Sequence, residues 1–380
     1  MSREPEHRRV FRELLAEVAA GRYAATGKLP SEAQLVARFG VSRPTVGRAL
    51  KDLQDRGLGE RRAGSGTFLK ADAPPTAAAT PRELGLLIPG LGTTEIFEVI
   101  CGEIAGLARV HDQLLLWGGG SHPRLDGPGS SEQAEQVCDL YIRRRVAGVF
   151  FAPVEHQPDQ DQTNRRLAER LHLAGVAVVL LDRDLVPFPA RSDFDVVGID
   201  NVAGGYLAAD HLLKLGARRP RFVSRPGSAS TVAARAAGFR EALLAHGLDI
   251  PAGHHRQGEP DDPAFVRSLI EDDRADAVAC ANDRTAATLI QTLGRLGARV
   301  PAAVRVTGFD DVRYATLVST PLTTIHQPCR DLAAVAYRAM AERIAEPTIP
   351  PRTISVRPTL IVRESCGAYA RRPGAPTNAG

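Results

Sequence analysis

Apolar residues recur along this chain in two rhythms. Near the N-terminus Val10, Leu14, Leu15 and Val18 repeat at three- and four-residue steps, the stripe of an amphipathic helix over Arg9–Gly21. A shorter stripe, Leu35, Val36 and Phe39, is opened by Leu29-Pro30-Ser31-Glu32 with Ser31 as N-cap and closed by Gly40. A third, Val46, Leu50 and Leu53, is opened by Ser42 as cap, with Pro44 in its first turn, where no amide donor is missed. Val41 is expected to bury in the turn between them. Gly57 then turns the chain, and Glu60–Arg62 and Thr67–Leu69 predict a hairpin around Ala63-Gly64-Ser65-Gly66. Two short helices across a tight turn, followed by a small β-wing, form a winged helix-turn-helix, a device for reading duplex DNA.

Further on, the rhythm changes. Short runs apolar on both faces predict strands at Leu84–Ile88, Leu114–Trp117, Gly148–Ala152, Ala177–Asp182, Val196–Ile199, Arg221–Ser224, Ala277–Ala281 and Val304–Gly308. Helical stripes alternate with them at Ile96–His111, Glu132–Arg144, Asn164–Ala174, Gly204–Leu215, Val232–His246, Pro263–Asp272, Asp283–Leu296 and Cys329–Ile344. The alternation predicts an α/β fold with parallel sheets, and eight strands suit two sheets better than one. Ala71–Pro81, rich in Ala, Pro and Thr, reads as a linker. The expected domains are therefore a winged head over 1–70, a linker over 71–82, a two-lobed body over 83–365 and a flexible tail over 366–380.

Charge sharpens this division. Residues 1–70 carry 14 Lys/Arg against 8 Asp/Glu, whereas residues 71–380 carry 34 against 36. A basic head on a near-neutral body suits a polyanion-binding module joined to a different domain. The 43% hydrophobic and 24% charged composition excludes a disordered chain, and no apolar run approaches a bilayer span. No apolar stretch follows MSREPEHRRVFREL as a secretory signal requires, and the five cysteines show no pairing or metal spacing. The expectation is a cytoplasmic protein with reduced thiols, no membrane association and no metal or cofactor. The adjacent pair His254-His255 reads as a solvated turn rather than a chelate, and Trp117 as lobe packing.

In the head, Arg43, Thr45, Gly47, Arg48 and Lys51 are left on the outer side of the third helix. Arginine forks grip guanine edges, while hydroxyls and helix-start amides hold phosphates. LPSE, then VSRPTV, then RRAGSGTFL, in this order over about 60 residues, resemble the GntR family of bacterial regulators. The resemblance implies that Ser31, Arg43, Thr45, Arg48, Gly64, Ser65 and Gly66 approach DNA. Ser42, Lys51 and Arg62 complete the candidate DNA-binding set. Many relatives carry Arg where this chain has Ala33 and Gly47, so Arg48 or Lys51 would compensate.

In the body, polar residues fall at strand ends and helix starts, where ligands bind in open α/β sheets. Asp182 follows VAVVLL, Thr231 and Arg235 open a helix, and Asn282-Asp283 follow DAVACA. Asp310-Asp311 follow VRVTGF, and Gln327 follows LTTIH. Carboxylates, amides and an arginine fork suit a polyhydroxylated ligand. GIDNVAGGYLAADHLLKLGARRPRFV, TVAARAAGFREAL, CANDRTAATLI, VTGFDD and PLTTIHQP are together similar to the LacI/GalR family, whose effector domain shares the periplasmic sugar-binding fold. That similarity, over about 84–363, implies two lobes crossed by three strands and dimerisation through the body. By motif position it assigns Arg235, Asn282, Asp310 and Gln327 to the effector, joined by Thr231 and Asp182. An aromatic that often stacks on the ligand is replaced by Pro260, and Phe97 could supply a ring instead.

A GntR-type head on a LacI-type body is seen in arabinose-responsive repressors. The expected function is a homodimeric regulator, more a repressor than an activator, that binds a palindromic duplex operator under control of a sugar-like effector. The alternatives are a corepressor-dependent regulator sensing a nucleobase or other metabolite and, more remotely, a solute-binding protein. No GxSxG elbow, P-loop or pyridoxal-enzyme pattern is present, so no catalysis is expected.

Overall fold

The computed structural model describes residues 6–19, 23, 28–55, 59–62, 66–69, 83–89, 95–118, 129–250 and 252–369. The expected linker, Gly64, Ser65 and residues 370–380 of the expected tail lie outside them. The chain divides into two compact units, Met1–Arg82 and Glu83–Gly380.

The first unit contains α1 (Glu6–Ala19), α2 (Glu32–Phe39), α3 (Arg43–Asp55), β1 (Gly59–Arg62) and β2 (Gly66–Leu69). Val10, Leu14, Leu29, Leu35, Val46 and Leu53 form its core, with Val41 buried in the turn. Ser31 caps α2 through a reciprocal box with Gln34, and Gly40 ends it at φ 62°, the left-handed conformation that glycine adopts without a Cβ clash. The antiparallel strands β1 and β2 pair from Gly59–Leu69 to Arg62–Gly66. Lys28 bridges Phe68 and the Leu29 amide donates to the Thr67 carbonyl at 2.9 Å. The wing is thereby tied to the chain entering α2.

The second unit begins with β3 (Leu84–Leu87), α4 (Ile96–Val110), β4 (Leu115–Trp117), α5 (Gly129–Arg144), β5 (Gly148–Phe151), α6 (Gln160–Leu173), β6 (Ala177–Leu181) and β7 (Asp195–Ile199). It continues with α7 (Asn201–Lys214), β8 (Pro220–Ser224), α8 (Ser230–Ala245), β9 (His255–Gln257), α9 (Pro263–Glu271), β10 (Ala277–Cys280), α10 (Asp283–Arg295), β11 (Arg305–Thr307) and α11 (Tyr314–Leu317). β12 (Thr324–His326), α12 (Cys329–Ala345), β13 (Thr353–Val356) and β14 (Thr359–Ile361) complete it.

Two parallel sheets define two lobes, with orders β13-β7-β6-β5-β3-β4 and β11-β10-β8-β9. Alternation along each strand feeds a core on either face. In β5, Phe150 packs toward α4 and α12, while Val149 and Phe151 pack toward α5 and α6. Each such fully buried side chain contributes about 1.5–3 kcal/mol. The second lobe repeats the plan, with Phe222 facing α7 and α8 and Val223 facing α9 and α10. The chain passes between lobes after β7, after β12 and after β13.

All eight expected strands are present, their ends shifted by a residue: β7 and β8 each start one earlier, and the other six are trimmed. β9, β12, β13 and β14 were not foreseen. They are three or four residues long, and β13 is half exposed at a sheet edge, so none presents a continuous apolar run. The fully buried carboxylate of Asp195 receives Arg343 at 3.0 Å and Arg352 at 3.1 Å. Burial opposes its ionisation, but the two guanidiniums prevail and hold its pKa below the ordinary value. This pins β13 to β7 beside one crossing. Among the described residues, no helix is long and apolar enough to cross a membrane.

Candidate functional site

The head presents Ser31, Ser42, Arg43, Arg48 and Lys51 exposed, with Thr45 half-buried. The Ser42 hydroxyl lies 2.8 Å from that of Thr45, so two candidate phosphate ligands share one hydrogen bond at the start of α3. Arg43 is 78% exposed, and its Nε sits 3.3 Å from Glu32 on α2. Such an exposed pair is weak, about 0–1 kcal/mol. A side chain at Gly47 would meet nothing within 4 Å, so the departure from relatives there is chemical rather than steric. Arg62 and Gly66 face one another across the hairpin.

In the body, the strands end in a cleft between the lobes. Arg235, buried in the first half of α8, donates from Nε to Asn201 Oδ1 at 2.8 Å and from Nη1 to the Ala281 carbonyl at 2.6 Å. Its guanidinium lies 3.7 Å over the Phe309 ring and 3.7 Å from Asp310. Asp310 stands at φ 110° and accepts from Gln327 Nε2 at 2.7 Å. Burial pushes its carboxyl up to about 7; Arg235 and Gln327 pull it down, while Asp182 and Glu155 raise it further. Asp283 is also fully buried, accepting from the Thr324 hydroxyl at 2.6 Å and the Val312 amide at 3.0 Å. Burial, then the charge of Asp310, raises its pKa well above the ordinary value.

On the first lobe, Asp182 is buried at φ 67°. Its neighbour Arg183 reaches Glu155 at 2.8 Å and Asp182 at 3.3 Å, and lies 5.3 Å over the ring of Phe97. Burial works against the Arg183 charge, but Glu155 and Asp182 outweigh it and raise its pKa. Asp182 and Thr231 line a cavity of about 100 Å³ together with Ser230 and Asn201. Asp310 and Gln327 line a larger one, of about 470 Å³, with Glu95, Arg313 and His326. The lobes touch around the cleft. The His156 amide donates to the Gly227 carbonyl at 2.9 Å, Ser230 Oγ to the Asp184 carbonyl at 3.3 Å, and the Arg313 amide to Glu95 at 3.2 Å.

The structure thus brings Asp182, Thr231, Arg235, Asp310 and Gln327 to the cleft. Asn282 is spent differently: its Oδ1 caps α10 by accepting from the Thr285 amide at 2.8 Å, and Asp283 takes the buried position. Arg183, Glu155, Asn201 and Phe309 were not singled out from sequence, although Asn201 and Phe309 lie inside the quoted motifs. Trp117 is 53% exposed on an edge strand rather than packed in the lobe. His255 belongs to β9 rather than a solvated turn, with its Nε2 2.7 Å from Ser224 Oγ.

Two lobes closing on buried polar groups, with a winged helix-turn-helix ahead of them, define an effector-responsive DNA-binding regulator. The sequence comparisons agree. Residues 6–69 match the family described as bacterial regulatory proteins, gntR family, and residues 209–366 match the periplasmic binding protein-like domain. The chain is 26% identical over 371 residues to the arabinose metabolism transcriptional repressor of Geobacillus stearothermophilus, covering 95% of this chain and 97% of that one. It is 34% identical over 239 residues to the HTH-type transcriptional repressor PurR of Klebsiella pneumoniae, covering 62% and 67%. The solved transcription regulator GntR from Chromobacterium violaceum superposes with a TM-score of 0.59 at 26% identity, over 75% of this chain and 99% of that one. The chain belongs to the bacterial transcriptional repressors with a LacI/GalR-type, periplasmic-binding-protein-like body, here joined to a GntR-type head.

Proposed function

We propose that this protein is a cytoplasmic, homodimeric repressor of carbohydrate-utilisation genes whose operator affinity falls when a sugar-like effector binds between the lobes. The observation that carries this is the buried Arg235–Asp310–Gln327 cluster at the strand ends, in a chain similar over nearly its whole length to an arabinose metabolism repressor. Carboxylate, amide and guanidinium groups pair with sugar hydroxyls through fixed donor and acceptor geometry. In this reading α3 enters the major groove and Arg43 contacts a base edge, while Ser31, Ser42, Thr45, Arg48, Lys51, Arg62 and the wing tip Gly64–Gly66 hold the backbone. Dimerisation through the body sets two such helices on the half-sites of a palindrome. No catalytic step is assigned to the chain.

The test is fluorescence anisotropy with a labelled operator. A sugar effector should lower operator affinity at least tenfold, and Arg43→Ala should lower it roughly 10- to 100-fold in the absence of effector. If no small molecule alters operator affinity, the sensing half of the proposal falls. An effector that strengthens operator binding would keep the site and reverse the sign. Unchanged binding by Arg43→Ala would remove that residue from the groove.

A further inference from the structure

Gly47 stands in the interior of α3, where glycine is the poorest helix former after proline. Two internal reasons keep a glycine in such a place, a left-handed backbone or a close neighbour. Neither applies. The backbone at Gly47 is helical, and a Cβ there would meet no described atom within 4 Å. Gly102, Gly106 and Gly294 have the same open space around them. Of these four, only Gly47 has exposed basic residues both one turn before and one turn after it, Arg43 and Lys51. The glycine therefore opens a gap in a cationic stripe, on the side of the helix that a polyanion would approach.

The chemistry of the gap says what fills it. Inside a helix the backbone amides and carbonyls are bonded to one another. Gly47 thus offers no donor to a phosphate and no acceptor to a base amine, only Cα hydrogens and room. An apolar, projecting group suits it. The base edges of the major groove present nitrogen and oxygen atoms and one apolar projection, the C5-methyl group of thymine. Along the helix axis Gly47 lies about 6 Å from Arg43, close to two base-pair steps. An arginine on one base edge and a glycine on a nearby methyl group are therefore compatible with one half-site.

Resting on the reading that α3 enters the major groove, we infer that Gly47 is a specificity-determining position. It lets the helix close on one thymine in each half-site, whose methyl group takes the space of the missing side chain. Arg43 and Lys51 flank that contact, one on each side along the stripe. The helix stability lost to the glycine is exchanged for shape that only a methyl-bearing base matches.

The test begins with selection of the tightest binders from a library of random-sequence duplexes by the full-length protein. Fluorescence anisotropy then measures the enriched duplex with each half-site thymine replaced in turn by deoxyuridine, which removes the methyl group alone. At one thymine the replacement should lower wild-type affinity about fourfold per half-site, the value of one buried methyl group. Gly47→Ala puts a methyl group on the protein instead. It should bind the thymine duplex about tenfold more weakly than wild type and bind the deoxyuridine duplex as well as wild type does. Its thermal midpoint should be unchanged or higher, since alanine favours the helix. A purely structural effect of the substitution would weaken both duplexes alike and would overturn the inference. So would an enriched duplex in which no thymine methyl group matters, or wild-type affinity of Gly47→Ala for the thymine duplex. Arg43→Ala on the same duplex separates the two readings. If it weakens binding while Gly47→Ala does not, the groove assignment stands and the inference falls. If it leaves binding unchanged, or if no duplex is enriched, both fall.

Discussion

Asp310 gathers most of the chemistry of the cleft into one carboxyl. It sits past the end of β11 at a positive φ, buried, between a guanidinium and an amide that favour its charge and carboxylates that oppose it. Its pKa of about 7 lies above the unfolded value of about 3.9, so the folded chain holds this proton more tightly than the unfolded chain. The contribution of Asp310 to stability therefore falls as pH rises from about 4 through about 7. Effector binding should run the other way, because hydroxyls donate to the carboxylate. Affinity should rise about tenfold between about pH 6 and about pH 8, and Asp310→Asn should flatten the profile; titrations across that range decide it. Asp310, Arg235 and Gln327 are legible in sequence because each follows an apolar strand or opens a helix inside a recognisable motif. Arg183 is not. A charged residue just past an apolar run reads as surface, and its burial depends on Glu155 and Phe97, far away in sequence. The Asn282-Asp283 pair shows the same limit: both residues sit at the strand end, and only the local geometry assigns the cap to one and the interior to the other.

Among the elements, the crossing of α7 on α8 decides where Arg235 points. A Cβ on Gly238 would lie 1.9 Å from the Val202 carbonyl oxygen, and one on Gly205 2.0 Å from that of Arg235 itself. The two helices meet backbone to backbone, and the obstacles are carbonyls rather than yielding side-chain tips. Gly238→Ala should cost roughly 3 kcal/mol and displace the start of α8. Thermal denaturation would register the loss, and effector titration would register the displaced Arg235. Gly47→Ala, with open space around it, makes the control. The long, fully buried strands and their helices are legible from the rhythm of apolar residues, because burial on both faces leaves a continuous signal. β9 and β12–β14 leave none. They are short and lie at edges or crossings, and β13 is held to β7 by Asp195 and Arg352 rather than by its own hydrophobicity.

At the scale of the molecule, a basic head and a near-neutral body share one chain, and coupling between them is a thermodynamic cycle. If the effector lowers operator affinity by some factor, the operator must lower effector affinity by the same factor. Titrating effector into the protein with and without saturating operator should return the ratio measured by anisotropy; a mismatch would mean that the two ligands do not act on one equilibrium. The division into head and body was plain from composition and charge, since the two halves need different surfaces. How the lobes meet was not, because each of those contacts has a backbone group of His156, Gly227, Asp184 or Arg313 on at least one side, which no side-chain pattern announces. Those contacts also bear on time. A molecule enclosed between the lobes departs only when they part, so the return to repression runs on the clock of lobe opening rather than on diffusion. The cell's last meal would then be remembered for as long as a few hydrogen bonds between the lobes stay closed.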